Sequence, residues 1–335
     1  MGAIRLHRVS VLRPFTDFLT DIGASVDRGF HRAGLPVTAL EDVNNYVPSQ
    51  RFLAFVADMA QREDIEDLGF HVGHRLGANS VDPHLAGLLG QSPTLFQAIL
   101  RFCDLANKTV SNSRMGLLQP PLSPQAYFYH RPSCDDRHPA IEQIGWFGLT
   151  TMMGVVDLFA GPHWQPSEIG LIQHHLPDRV IREQYPYTRF RLAQQQSYIV
   201  VENALLDLPP LGPQATATAS SPFSYEPCSD DFPDALKQLL LSYIREKDLT
   251  MDFVADLCNM STRSLHRKLA AFGTRYSEVL EQTRYHVASR MLQDPDTRVT
   301  DVAHTLGYTD ASHFSRAFRR VAGICPKQYR QQIHH

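Results

Sequence analysis

Two stretches in the C-terminal third carry side chains spaced to read nucleic acid. On a wheel at 100° per residue, Arg263, His266, Arg267 and Ala270 share one side of a predicted helix, with Leu265, Leu269 and Phe272 opposite. Ser312, Ser315, Arg316 and Arg319 share one side of a second, with Phe314, Phe318 and Val321 pointing inward. Arginine bonds guanine O6 and N7 in bidentate fashion, and serine or histidine bonds base edges or phosphates, so both faces suit a major groove. One such face alone is also what a solvated helix shows. The repetition separates the readings: Arg263 and Arg267 recur as Ser312 and Arg316, 49 positions on in both cases. Arg319, Arg320 and Lys327 lie further along or on the following segment, where phosphates are the expected partners.

Other chemistries find less support. No G-x-S-x-G, phosphate loop or dinucleotide fingerprint occurs, so no catalytic residue and no cofactor is expected. His71 and His74 at i, i+3, and His163, His174 and His175, are metal-ligand types, but no cysteine or carboxylate spacing completes a set, and no metal is expected. The five cysteines are an odd number without C-x-x-C spacing, which fits a reducing cytoplasm. No apolar export segment follows Arg5, Arg8 and Arg13. The most lipid-like run, Gln143 to Val156, has 14 uncharged residues between Glu142 and Asp157. That is short of the roughly 18 that span a bilayer, so no membrane contact is expected.

The elements that must position the two faces follow from turn chemistry. Val254-Ala255 leads through Asn259 to Ser261, Leu265 and Leu269; Val302-Ala303 leads through Gly307 to Asp310, Phe314 and Phe318. Each is a short helix, a residue able to take positive φ, a capping Ser or Asp, and a second amphipathic helix. This predicts two helix-turn-helix units at about 250–272 and 299–321. Between them Arg275 to Leu292 reads as a helix of roughly 27 Å, which would set the faces into successive major grooves about 34 Å apart.

Upstream, Ser49 to Gln61, Ile65 to Leu76, Thr94 to Asn107 and Pro139 to Phe159 have helical periodicity. Val110 to Gln119, Gln125 to Arg131, Glu168 to Gln173 and Ser197 to Val201 read as strands. The pattern predicts an α+β domain over 1–207, a Pro-rich linker over 208–231 with five prolines, and an all-α domain over 232–335. Charge changes sign at the same place: 17 basic and 24 acidic side chains before residue 232 give −7, while 15 and 11 after it give +4. The overall −3 therefore hides a basic unit, and 43% apolar residues exclude a disordered chain.

Residues 233–332 resemble the DNA-binding domain of the AraC/XylS family. The resemblance rests on Val254-Ala255, Met260-Ser261, Arg263, Leu265, Arg267, Leu269 and Gly273. It is stronger in Ala303, Leu306-Gly307-Tyr308, Asp310, Ser312-His313-Phe314, Arg316, Phe318-Arg319-Arg320, Gly323, Pro326 and Tyr329-Arg330. It implies a bipartite all-α domain of seven helices in which the second helix of each unit reads DNA. Cys258, Asn259 and Cys325 depart from the usual leucine, glycine and Ser/Thr. Asn259 tolerates a left-handed turn, Cys325 should cap a helix at Pro326 weakly, and both thiols read as small core groups.

The N-terminal region resembles, more faintly, the effector domain of one branch of that family, through Val47-Pro48 and Leu205 to Pro209. That likeness implies an inducer-sensing, dimerising module. The default effector pocket lies between the helix holding Trp146, Phe147, Met152, Met153 and Phe159 and the strand Tyr127-Phe128-Tyr129, with Arg131 or His130 meeting an acidic head group. For any one of these residues, plain core between helix and sheet is the more common reading. The expected function is an effector-responsive, DNA-binding transcriptional activator, with double-stranded DNA, a small molecule, RNA polymerase and a second copy of the chain as partners. A constitutive architectural DNA binder and an enzyme fused to a DNA-binding domain are the alternatives.

Overall fold

The computed structural model describes residues 4–75, 83–111, 113–132, 134–135, 137–211, 227–246 and 249–333. Its first elements are β1 (Leu6–Arg8), α1 (Val9–Asp21), α2 (Val26–Ala33), a 3₁₀ turn (Val37–Glu41), β2 (Tyr46–Pro48), α3 (Ser49–Arg62), α4 (Leu68–Arg75), α5 (Pro83–Gly90) and α6 (Leu95–Thr109). There follow β3 (Arg114–Leu118), β4 (Gln125–Arg131), α7 (Ile141–Ala160), β5 (Glu168–Gly170), α8 (Arg179–Gln184), β6 (Arg189–Arg191), β7 (Ser197–Glu202) and α9 (Asn203–Leu206). Seven helices complete the order: α10 (Phe232–Tyr243), α11 (Met251–Leu257), α12 (Thr262–Ala271), α13 (Tyr276–Met291), α14 (Val299–Thr305), α15 (Ala311–Ala322) and α16 (Pro326–Ile333).

The chain divides into two compact units, and the division is not the one the linker suggests. One unit joins Met1–Val9 and Gly34–Pro48 to Cys228–His335; the other comprises Ser10–Ala33 and Ser49–Pro227. The boundaries 1–207 and 232–335 read from the sequence are thus corrected, because two N-terminal segments complete the helical unit. Of the expected linker, residues 212–226 lie outside the described residues.

In the α+β unit a five-stranded sheet has the order β3-β4-β7-β5-β6, antiparallel except for the parallel pair β5–β6. Helix α7 packs on β4 and β7, and α4 and α6 pack against α7. Glycines set these distances: a Cβ on Gly148 would strike the His130 ring, and one on Gly69 would lie 1.8 Å from the Gln143 carbonyl oxygen. Gln143 fastens the same crossing, accepting from the Gly69 amide at 2.9 Å and donating to the Glu66 carbonyl at 2.5 Å. The core gathers Phe70, Phe102, Phe128, Trp146, Leu149, Met152 and Ile199.

The predicted helices and strands upstream correspond to α3, α4, α6, α7, β3, β4, β5 and β7, with shifted ends. Strand β3 begins at Arg114 rather than Val110, because Val110 is the C-cap of α6. Helix α4 begins at Leu68 rather than Ile65, since Asp64 takes positive φ and Ile65 closes the end of α3 through its amide to the Ala60 carbonyl.

In the helical unit β1 pairs antiparallel with β2, setting Leu6 against Pro48 and Arg8 against Tyr46. This ribbon and the 3₁₀ turn lie on α10. Ile4, Leu6 and Tyr46 enter one core with Phe232, Leu236, Leu240, Leu265, Val279, Phe314 and Phe318. Polar groups fix the register: the Ser242 hydroxyl donates to the Tyr46 carbonyl at 2.5 Å, the Tyr243 hydroxyl to the Gly34 carbonyl at 3.1 Å, and Arg245 pairs with Glu41 at 2.5 Å.

Candidate nucleic-acid interface

Each helix-turn-helix is held by the turn chemistry its sequence carries. Thr250 caps α11 by accepting from the Phe253 amide at 3.2 Å, Asn259 takes φ +50°, and Ser261 caps α12 by accepting from the Ser264 amide at 3.3 Å. In the second unit Gly307 takes φ +75° and Asp310 caps α15, accepting from the His313 amide at 2.6 Å. That amide bond holds the Asp310 carboxyl below the usual range, so the cap is ionised at neutral pH.

With the caps set, Leu265 and Leu269 bury on α12 while Arg263, His266 and Arg267 stay exposed. On α15 Phe314, Ala317 and Phe318 bury, Ser312, Arg316, Arg319 and Arg320 are exposed, and Ser315 is half-buried. Lys327 is exposed on α16. The structure therefore places Arg263, His266 and Arg267 on one exposed helix face and Ser312, Arg316 and Arg319 on another, with Lys327 on α16.

Two wheel assignments are corrected. Phe272, expected inward, is 50% exposed, and Val321 is 39% exposed. Phe272 is the C-cap residue after Ala271 with Gly273 at φ +70° next, so the helical periodicity stops before it. Val321 lies in the last turn of α15, just before the left-handed cap Gly323. The two positions are 49 apart, so the same departure occurs in both repeats.

Of the two thiols, Cys258 is half-buried and packs against the core, whereas Cys325 is half-buried outside it. Burial pushes the Cys258 thiol up to about 12, which leaves it protonated at neutral pH. Cys325 precedes α16, and there the cap comes from the other direction: its amide donates to the Gln328 side-chain oxygen at 3.2 Å.

Helix α13 carries contacts that wheel reasoning on α15 could not show. Arg320 donates from Nε to Glu281 at 2.7 Å, and its Nη2 meets the same oxygen. One turn along, Arg284 lies over the Tyr308 ring at 5.0 Å from its centroid. The signal in the sequence was a charged i, i+3 pair on an otherwise mixed helix, which is the ordinary appearance of a solvated face.

In the α+β unit the expected effector residues are not brought together. Strand β4 turns Ala126, Phe128 and His130 inward toward α7, so Tyr127, Tyr129 and Arg131 occupy the opposite face from Trp146. Tyr127 packs edge-on to Tyr198 at 5.3 Å, and Tyr129 covers Gly116. Phe147 packs on Phe15 at 5.0 Å. Trp146 is 1% exposed with an indole N–H lacking a hydrogen-bond partner among the described residues. His130 is buried, with Nε2 3.1 Å from the Ser113 hydroxyl. Burial pushes its imidazole down to about 4, so it is neutral at pH 7 and offers no charge to an acidic head group. His74 stacks on Phe70 and contacts the Gln184 amide, and His175 pairs with Glu142. Among the described residues no group of three or more His, Cys, Asp or Glu is placed to hold a metal ion.

Comparison with known proteins finds two family models on this chain. Residues 23–210 match the family model of the arabinose-binding domain of AraC transcription regulators, and residues 254–332 match that of a helix-turn-helix domain. The transcriptional activator NphR of a Rhodococcus species is 34% identical over 97 residues, which cover 29% of each chain. The HTH-type transcriptional regulator VirS of Mycobacterium tuberculosis is 39% identical over 77 residues, 23% of each. The chain thus spans under a third of the length of these curated relatives. The crystal structure of the transcriptional regulator CdpR from Pseudomonas aeruginosa aligns over 96% of this chain and 97% of its own at 18% identity, with a TM-score of 0.41. With one family model covering more than half of its length and a second covering the double helix-turn-helix, the chain belongs to the AraC family of transcription regulators.

Proposed function

We propose that the chain is a sequence-specific DNA-binding transcriptional activator whose α+β unit binds a small organic effector. The observation that carries the reading is the pair of exposed faces, Arg263-His266-Arg267 and Ser312-Arg316-Arg319 with Ser315 half-buried beside the second, repeated on two capped helices with α13 between them. In this reading Arg267 and Arg316 contact base edges, and Arg319 and Lys327 contact phosphates. The effector domain matched over 23–210 supports a sensing role, exerted by binding rather than by turnover. RNA polymerase, a second copy of the chain and a cytoplasmic setting complete the proposal, as the working partners and place of a bacterial-type activator.

A genome-wide map of occupied sites tests it. The native chain should mark a small set of promoters sharing one motif, and a chain carrying Arg267→Ala and Arg316→Ala should lose them. Candidate effectors suggested by the controlled genes should raise the thermal midpoint of the full chain, since a ligand that favours the folded state stabilises it by mass action. Uniform, motif-free occupancy would contradict the proposal.

A further inference from the structure

The stripe of α15 that would face DNA runs Ser312, Arg316, Arg320 at intervals of four residues, with Arg319 beside it. Among the described residues Arg263, Arg267, Arg316, Arg319 and Lys327 have no ion pair, whereas Arg320 gives two N–H groups to one oxygen of Glu281. The partners are unequal: the Glu281 side chain is 21% exposed and that of Arg320 71%. The carboxylate is thus a fixed feature of α13, and the guanidinium an arm drawn back to it. Arg284, one turn from Glu281, is already engaged on Tyr308, so it does not take Arg320's place on the carboxylate.

We propose that Glu281 sets the sequence-independent affinity of the chain for DNA by withholding Arg320 from the DNA backbone. This rests on the DNA-reading role proposed above. Sequence-independent affinity grows with each phosphate that a cation neutralises, whereas base contacts alone distinguish one site from another. A carboxylate that neutralises one cation of the reading stripe removes a phosphate contact from every sequence alike. Binding to every duplex weakens by the same factor, the base contacts of Arg267 and Arg316 are untouched, and the ratio of specific to non-specific binding stays where those contacts set it.

The test is the salt dependence of binding by the full chain, measured on a random-sequence duplex and on an operator duplex recovered by selection. Glu281→Gln should steepen the slope of log affinity against log salt by about 0.9, one phosphate contact. For equal affinity at 1 M salt, that makes binding to the random duplex about eightfold tighter at 0.1 M. Base preference should persist, and the operator duplex should gain by the same factor, so that the specificity ratio is unchanged. Arg320→Ala should leave the native slope nearly unchanged, and added to Glu281→Gln it should abolish the gain. An unchanged slope in Glu281→Gln overturns the inference. So does an Arg320→Ala chain that alone loses about 0.9 of slope, since Arg320 would then already be on a phosphate. A gain that survives Arg320→Ala also overturns it, because Glu281 would be repelling DNA directly. If Glu281→Gln fails to fold, the Arg320→Ala slope decides by itself. A native chain that binds no duplex at any salt overturns the reading role, and this inference with it; a native chain that binds while these variants fail overturns only the inference.

Discussion

Replacing Leu6 with alanine should loosen α10, at the other end of the chain, and leave α7 untouched. Leu6 is fully buried and shares a core with Ile4, Tyr46, Phe232, Leu236 and Leu240. Truncating a leucine in such a core costs about 2–5 kcal/mol, from lost transfer free energy and the cavity left behind. At about 1.4 kcal/mol per factor of ten, the amides of α10 should lose protection by roughly 30-fold to several thousand-fold. Hydrogen exchange of the full chain, read by mass spectrometry, follows this directly, because core amides report the stability of the cooperative unit that contains them. Leu239 and Leu240 on α10 should exchange faster, while Leu149 and Val155 on α7, in the other unit, should not. Equal acceleration in both helices, or none in α10, would refute the assignment of the N-terminal ribbon to the helical unit.

Gly69→Ala should destabilise the α+β unit by at least about 1–3 kcal/mol, since the new Cβ meets backbone rather than a yielding side chain; a urea midpoint that does not fall would contradict this. Asp157 supplies a pH test. Burial pushes its carboxyl from 3.8 up to about 7, so between these values the folded chain holds a proton that the unfolded chain has released. Stability from this group is therefore lost as pH rises through about 7. Asp157→Asn should stabilise the chain at pH 8 and do progressively less toward pH 5, and a thermal-midpoint change equal at both values would contradict the assignment.

What the sequence showed and what it hid divide along the range of the interactions. The caps Ser261 and Asp310, the positive-φ residues Asn259 and Gly307, and the stripes Leu265-Leu269 and Phe314-Phe318 are local patterns that specify both helix-turn-helix units. Strands β1 and β2 are three residues each and pair across some forty positions, so no local period marks them. Hence the composition of the linker read as a clean boundary, although Leu6 and Tyr46 belong to the core beyond it. In β4 the alternation was visible but its parity was not. Tyr127 and Tyr129 are the larger aromatic set, yet the helix covers Ala126, Phe128 and His130, because Gly148 makes room for the imidazole. The Glu281–Arg320 pair joins two helices 39 positions apart, and on α13 alone its only mark is a charged spacing that an ordinary solvated face also shows.

The most direct test of the reading role is affinity measured across a library of single-base operator variants for the native chain, Arg267→Ala and Arg316→Ala. Each substitution should cost about 1–3 kcal/mol on the best site and relax preference at one or two base pairs. The two relaxed positions should lie about 10 base pairs apart on one side of the duplex, as two readers separated by α13 require. A uniform loss of affinity with base preference unchanged in both variants would contradict the account.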